Sequence, residues 1–166
     1  MQIFRILLLF NTMKFLCDQM LGNLSRWLRF FGFDTYYVKR DIHDDELLKI
    51  AEKENYILIT RDKDLIIRAK KRKLKIISIK SLNLDDQLKH VLKDIKIDEN
   101  EILSKCSICN SKLIKINKQD FKDKIPIKIY DNMNDFYFCN FCDKIYWKGS
   151  HYDKIIKKIF TIKNGD

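Results

Sequence analysis

The chain lacks the features that would place it in a membrane, outside the cell or among repetitive proteins. Its apolar stretch at residues 3–10 falls far short of the roughly 20 residues that a transmembrane helix needs. Asn11, Thr12, Met13 and Lys14 offer no small-residue cleavage site behind that stretch, so a secretory leader is not expected. Met13 followed by Lys14 makes a natural start, and residues 1–12 are expected to be a dispensable N-terminal extension. Proline occurs once, at Pro126, and no Gly/Ser-rich linker, repeat or low-complexity tract divides the chain.

Cysteine is scarce and unevenly placed. Of five, Cys106, Cys109, Cys139 and Cys142 fall in the last third, while Cys17 stands alone near the start as a small apolar residue of a strand. At 166 residues the chain suits one ordinary domain, or a domain of about 100 residues plus a small module held together by something other than burial. The clustered cysteines favour the second arrangement, with residues 13–100 as the main domain, 101–155 as the small module and 156–166 as a tail. Clustered thiols used as ligands also suit a reducing, cytoplasmic compartment.

The net charge is +10, and residues 1–100 (20 Lys+Arg against 15 Asp+Glu) share it equally with residues 101–166 (13 against 8). Two basic modules suit a polyanion such as nucleic acid, although a Lys-rich solvated surface accounts for charge alone equally well.

After Met13, apolar runs and helical periods alternate in the order of βαβ units. Strands are expected at 14–17, 34–38, 56–60 and 75–79, and helices at 21–31, 44–53, 63–73 and 84–92. Leu21, Leu24, Leu28 and Phe31 recur at helical spacing with Arg26 and Arg29 off that face, and Gly32 closes the helix. The fold class is therefore α/β with a mainly parallel sheet. From about residue 97 the long periods disappear, and short apolar pairs at 112–117 and 135–138 read as strands of a small β-ribbon.

Cys106 and Cys109 form one CxxC pair, Cys139 and Cys142 another, with 29 residues between the pairs. Two such turns complete a closed tetrahedral thiolate site, which is a structural zinc arrangement; two disulfides are the alternative. His151 is a further ligand type, but four cysteines already fill the set. The run Tyr146, Trp147, Lys148, Gly149, Ser150, His151 interleaves aromatics with cations, which suits stacking on exposed bases or, equally, packing on the ribbon.

Asp18 directly follows the first strand and Asp62 the third, while Asp44 and Asp45 open a helix. In a parallel sheet these positions share the carboxyl edge, so Asp18, Asp44, Asp62 and Asp64 can converge although Asp18 and Asp64 are 46 residues apart. Carboxylates brought together repel unless a cation sits among them, and a hard divalent metal suits oxygen ligands. Such a set supports metal-assisted phosphodiester hydrolysis and needs no histidine or serine nucleophile. For any one acid, helix capping or a dipole-favoured position is the rival reading. Arg26 and Arg29 are candidates for substrate phosphate, with a solvated face as the alternative. The dense run from Arg68 to Lys75 either grips a nucleic-acid backbone or merely suits a helix C-terminus.

The segments Phe15, Leu16, Cys17, Asp18, then residues 20–29, then Gly32, Phe33, Asp34, then 44–51 and 58–62, together with the paired cysteines and residues 146–151, resemble the Mut7-C family of ribonuclease domains. The resemblance covers residue 13 to about 155 and implies a PIN-like three-layer domain followed by a C-terminal zinc ribbon. It implies a Mg2+- or Mn2+-dependent ribonuclease, acting as an endoribonuclease on RNA. Asp18, Asp44 and Asp62 match the family's acids, Asp64 less securely, and Asp45 can exchange with Asp44. Apart from the resemblance, Arg61 beside Asp62 joins Arg26 and Arg29 as a candidate for substrate phosphate. A non-catalytic RNA-binding or ribonucleoprotein-docking module is the alternative. A homodimer or a ribonucleoprotein partner is the further expectation, and no membrane partner is expected.

Overall fold

The computed structural model describes residues 13–38 and 42–164, so the expected extension at 1–12 lies outside the described residues. The first half follows the expected order: β1 (Lys14–Cys17), a 3-10 turn (Gln19–Leu21), α1 (Gly22–Phe30), β2 (Asp34–Tyr37), α2 (Asp44–Lys53), β3 (Ile57–Thr60), α3 (Lys63–Lys71), β4 (Ile76–Ser78) and α4 (Leu84–Leu92). The four strands pair in parallel in the order β2-β1-β3-β4. The order therefore reverses between β1 and β3, which places a topological switch point at their carboxyl ends.

Side-chain alternation along β1 builds a layer on each side. Phe15 and Cys17 join Leu24 and Leu28 of α1 and Leu88 and Val91 of α4, while Leu16 joins Leu47 and Leu48 of α2 and Leu65 of α3. Local signals set the boundaries. Asn83 caps α4 by accepting from the backbone N–H groups of Asp85 and Asp86 at 2.8 and 3.2 Å. Gly32 ends the first helical segment with φ +90°, and a Cβ there would lie 2.4 Å from the Glu101 carbonyl oxygen, so both backbone angle and contact require glycine.

The C-terminal module contains β5 (Ile114–Ile116), a 3-10 segment (Lys118–Lys124), α5 (Ile127–Asn132), β6 (Phe136–Cys139) and β7 (Lys144–Trp147), the strands forming an antiparallel sheet in the order β5-β6-β7. Residues 156–164 of the expected tail continue α6 (Ser150–Asn164). Tyr152, Ile155, Ile159 and Ile162 recur at helical spacing and reach the core of the α/β half, with Ile155 and Ile162 buried there. Lys158 pairs with Asp85 at 2.7 Å, and Lys163 donates to the Leu92 carbonyl at 3.1 Å. The chain thus leaves the α/β half, builds the small sheet and returns through α6. No described helix is long and apolar enough to cross a membrane.

Candidate active site and cysteine centre

Asp18 is positioned by the β1 ladder, since its own backbone N–H donates to the Ile59 carbonyl at 3.2 Å. Its side chain is buried, 5% exposed. One carboxylate oxygen accepts from the Met20 N–H at 2.8 Å, and the other accepts from the Thr60 hydroxyl and, at 3.4 Å, from the Arg61 N–H. The same Thr60 hydroxyl accepts from the Asp62 N–H at 3.0 Å. One hydroxyl can donate once and accept twice, so Thr60 links the first acid to the backbone of the second.

Asp62 caps α3, its Oδ1 accepting from the N–H groups of Asp64 and Leu65 at 2.8 and 2.9 Å. Capping occupies one oxygen and leaves Oδ2 for the space in front of the strand ends. The cap and the site are therefore compatible roles. Asp44 enters from the first turn of α2. Asp18, Asp44 and Asp62 line one cavity of about 60 Å³, walled on its apolar side by Val38, Leu47 and Leu65. That is room for a few waters or a hydrated ion.

Not every expected residue joins this pocket. Asp64 is exposed and does not line it. Asp45 turns to Arg68 and Arg72, at 2.6 and 2.7 Å, and the Arg68 guanidinium beside it holds its carboxyl below the usual aspartate range. Arg68 also donates to Asp44 Oδ2 at 2.8 Å, so the basic run spends two of its arginines on the acids that open α2. Arg61 sits half-buried at the end of β3, its backbone already engaged with Asp18.

Arg26 and Arg29 lie elsewhere. Arg29, expected on the polar face of its helix, is buried, and donates to the Thr35, Ser107 and Ile108 carbonyls at 2.9, 3.2 and 2.9 Å. Its guanidinium therefore bolts the first CxxC turn to β2 rather than meeting a ligand. Asn110, with φ +70°, completes that joint. Its amide carbonyl accepts from the Thr35 N–H at 3.0 Å and its amide nitrogen donates to Asp34 at 2.6 Å. Thr60 and Asn110 carry site functions that sequence reasoning missed, because both act through partners distant in the chain.

The sulfurs of Cys106, Cys109, Cys139 and Cys142 all lie within 4.8 Å of one another, and this is the metal-compatible set found among the described residues. Tetrahedral ligation with sulfur about 2.3 Å from zinc puts sulfurs about 3.8 Å apart, so the cluster has the span of a four-thiolate site. Disulfides do not account for it, since the cysteines are free and Cys109 and Cys139 approach to 3.4 Å, far beyond a bond of about 2.05 Å. Burial works to raise the Cys109 pKa, but hydrogen bonds with Ser111 and the neighbouring sulfurs outweigh it and bring it to about 6. Cys142 is pushed up to about 12 by burial and by the adjacent Cys109 and Cys106. Tyr146 backs the centre with its hydroxyl 3.2 Å from Cys106 Sγ and 3.2 Å from Ser107 Oγ, and Ser111 Oγ lies 3.2 Å from Cys109 Sγ.

A family model described as the Mut7-C RNAse domain matches residues 13–159, from the start of β1 into α6. The chain belongs to the Mut7-C family. No curated protein matches it. The Mut7-C match takes in both halves of the molecule, the acidic pocket and all four clustered cysteines. The family's description points to ribonuclease chemistry, and the pocket lies where an α/β sheet of this strand order presents a ligand site.

Proposed function

We propose that this chain is a PIN-like, metal-dependent endoribonuclease of the cytoplasm that hydrolyses RNA phosphodiester bonds at the Asp18, Asp44 and Asp62 pocket. The observation that carries the reading is that these three acids line one cavity at the β1/β3 switch point. An all-oxygen donor set suits Mg2+ or Mn2+. When bound, such an ion supplies Lewis-acid polarisation of the phosphoryl oxygen, a more acidic water and charge stabilisation for the leaving oxygen.

The protein's own part is positioning. Thr60 and the Met20 N–H fix the rotation of the Asp18 carboxylate, while the α3 cap fixes Asp62 and leaves it one outward oxygen. Arg61 is the cation retained for a substrate phosphate, and Asp64 is set aside because it faces solvent outside the pocket. The four cysteines hold structural Zn2+ in a ribbon that Arg29 and Asn110 fasten to the nuclease domain.

A second reading draws on the ion pair from Arg68 to Asp44, which meets one acid of the pocket with an internal cation. In that reading the chain binds RNA without turnover. Incubation of the zinc-loaded protein with a mixed RNA pool, with and without Mn2+, separates the two. Metal-dependent cleavage absent from a folded Asp62→Asn variant supports the enzyme. RNA binding without cleavage in any divalent metal supports the binding module.

A further inference from the structure

Arg26 stands on the face of α1 that looks towards the cysteine module, away from the acids. There it lines a cleft of about 320 Å³ with Phe30, Lys144, Tyr146, Trp147 and His151. We propose that this cleft is a binding subsite for one nucleotide of single-stranded RNA, the base lying against the aromatic walls and its phosphate on Arg26 and Lys144. The proposal deepens the ribonuclease reading and rests on it for the identity of the ligand as RNA.

Three observations support it. The aromatic walls are fixed before any ligand arrives. Tyr146 is tied through its hydroxyl to Cys106 and Ser107 of the first cysteine turn. Trp147 is backed by Gly149, where a Cβ would stand 3.0 Å from the indole Cδ1 and Nε1. Phe30 meets His151 edge-on at 5.1 Å. Rigid aromatic surfaces lower the ordering cost of stacking, and every base offers a π-face.

The charge is complementary to a phosphate. The residues lining the cleft include the cations Arg26 and Lys144 and no Asp or Glu. Arg26 and Lys144 lie over the Phe30 and Tyr146 rings at 6.0 and 5.6 Å, and among the described residues their side chains make no hydrogen bond or ion pair. Burial first, and then the positive field of Arg26, Lys154 and Lys144, lowers the His151 pKa. The size also fits. Small-molecule sites commonly span about 300–1,000 Å³, so this cleft admits one nucleotide unit and not a duplex.

The test uses the full-length, zinc-loaded protein without added Mg2+ or Mn2+, a labelled five-nucleotide RNA read by fluorescence anisotropy, and AMP as competitor. Trp147→Ala should weaken binding on the order of tenfold, and Trp147→Phe should restore most of it. Arg26→Ala combined with Lys144→Ala should lower the salt slope of binding by about 0.7, the value for one phosphate contact on a single strand. Unchanged affinity and salt slope in the folded Arg26→Ala, Lys144→Ala protein would overturn the proposal. So would AMP binding as tightly as the oligomer with the same dependence on Arg26 and Lys144, which would make this a free-nucleotide site. Binding that follows these variants in a protein that never cleaves RNA keeps the subsite and removes the ribonuclease reading.

Discussion

Thr60 donates its hydroxyl to the buried carboxylate of Asp18 across the β1/β3 boundary. The same oxygen accepts from the Asp62 N–H, so one side chain sets the geometry of two acids that follow different strands. Thr60→Val keeps the shape and removes the hydroxyl. It should cost about 1–3 kcal/mol of stability in urea unfolding, because Asp18 and the Asp62 N–H each lose a partner. It should also raise the Mn2+ concentration needed for half-maximal cleavage, and Thr60→Ser should reverse both effects.

Arg29 joins the two halves of the molecule. Arg29→Lys removes the fork that reaches the Thr35, Ser107 and Ile108 carbonyls. Unfolding should then require about 3 kcal/mol less, since hydrogen bonds from a charged donor to buried carbonyls are lost together. A merely solvated arginine would give a change near zero.

Metal at the cysteine centre should hold more than the small sheet, because α6 leaves β7 and packs into the α/β core. A strong chelator should therefore lower the midpoint of thermal unfolding of the whole chain by on the order of 10 °C, read by circular dichroism. Four thiols should become reactive on chelation while Cys17, buried in β1, stays protected until global unfolding.

The Arg68 pairs give a pH signature with a definite sign. The folded Asp45 carboxyl is held below its ordinary value of 3.8, chiefly by its hydrogen bond with Arg68. A depressed folded pKa contributes stability that is present above the unfolded value and is lost as pH falls through the folded one. Stability should thus decline below about pH 4, and the decline should be shallower in Arg68→Ala. The same variant frees Asp44, so at neutral pH it should bind Mn2+ more tightly, as read by isothermal titration.

The α/β half was legible because each boundary carries its own signal. The β-branched run before Asp62, the acids opening α2 and the glycine at position 32 mark their elements without reference to the rest of the chain. Asp18 and Asp62 could be placed together for a similar reason, since a parallel sheet puts successive strand ends on one edge. The pocket's third acid needed only the start of α2. What could not be read was the use of polar residues between distant segments. Arg29 sits at an ordinary helical position, and nothing near it announces carbonyl partners 78 and 79 residues away. Helix α6 was different: the apolar spacing from Tyr152 to Ile162 lies in the sequence, but its return to the α/β core depends on packing that local spacing does not specify.

The central claim is that Asp18, Asp44 and Asp62 hold a catalytic divalent metal. Its most direct test is Mn2+-dependent cleavage of RNA by the zinc-loaded wild type beside Asp18→Asn, Asp62→Asn and Asp64→Asn, each checked for intact fold. The first two substitutions should lower the rate on the order of a hundredfold or more, since several kcal/mol of charge stabilisation would be lost. Asp64→Asn, outside the pocket, should stay close to wild type. Cleavage at the wild-type rate by folded Asp18→Asn and Asp62→Asn would contradict the account.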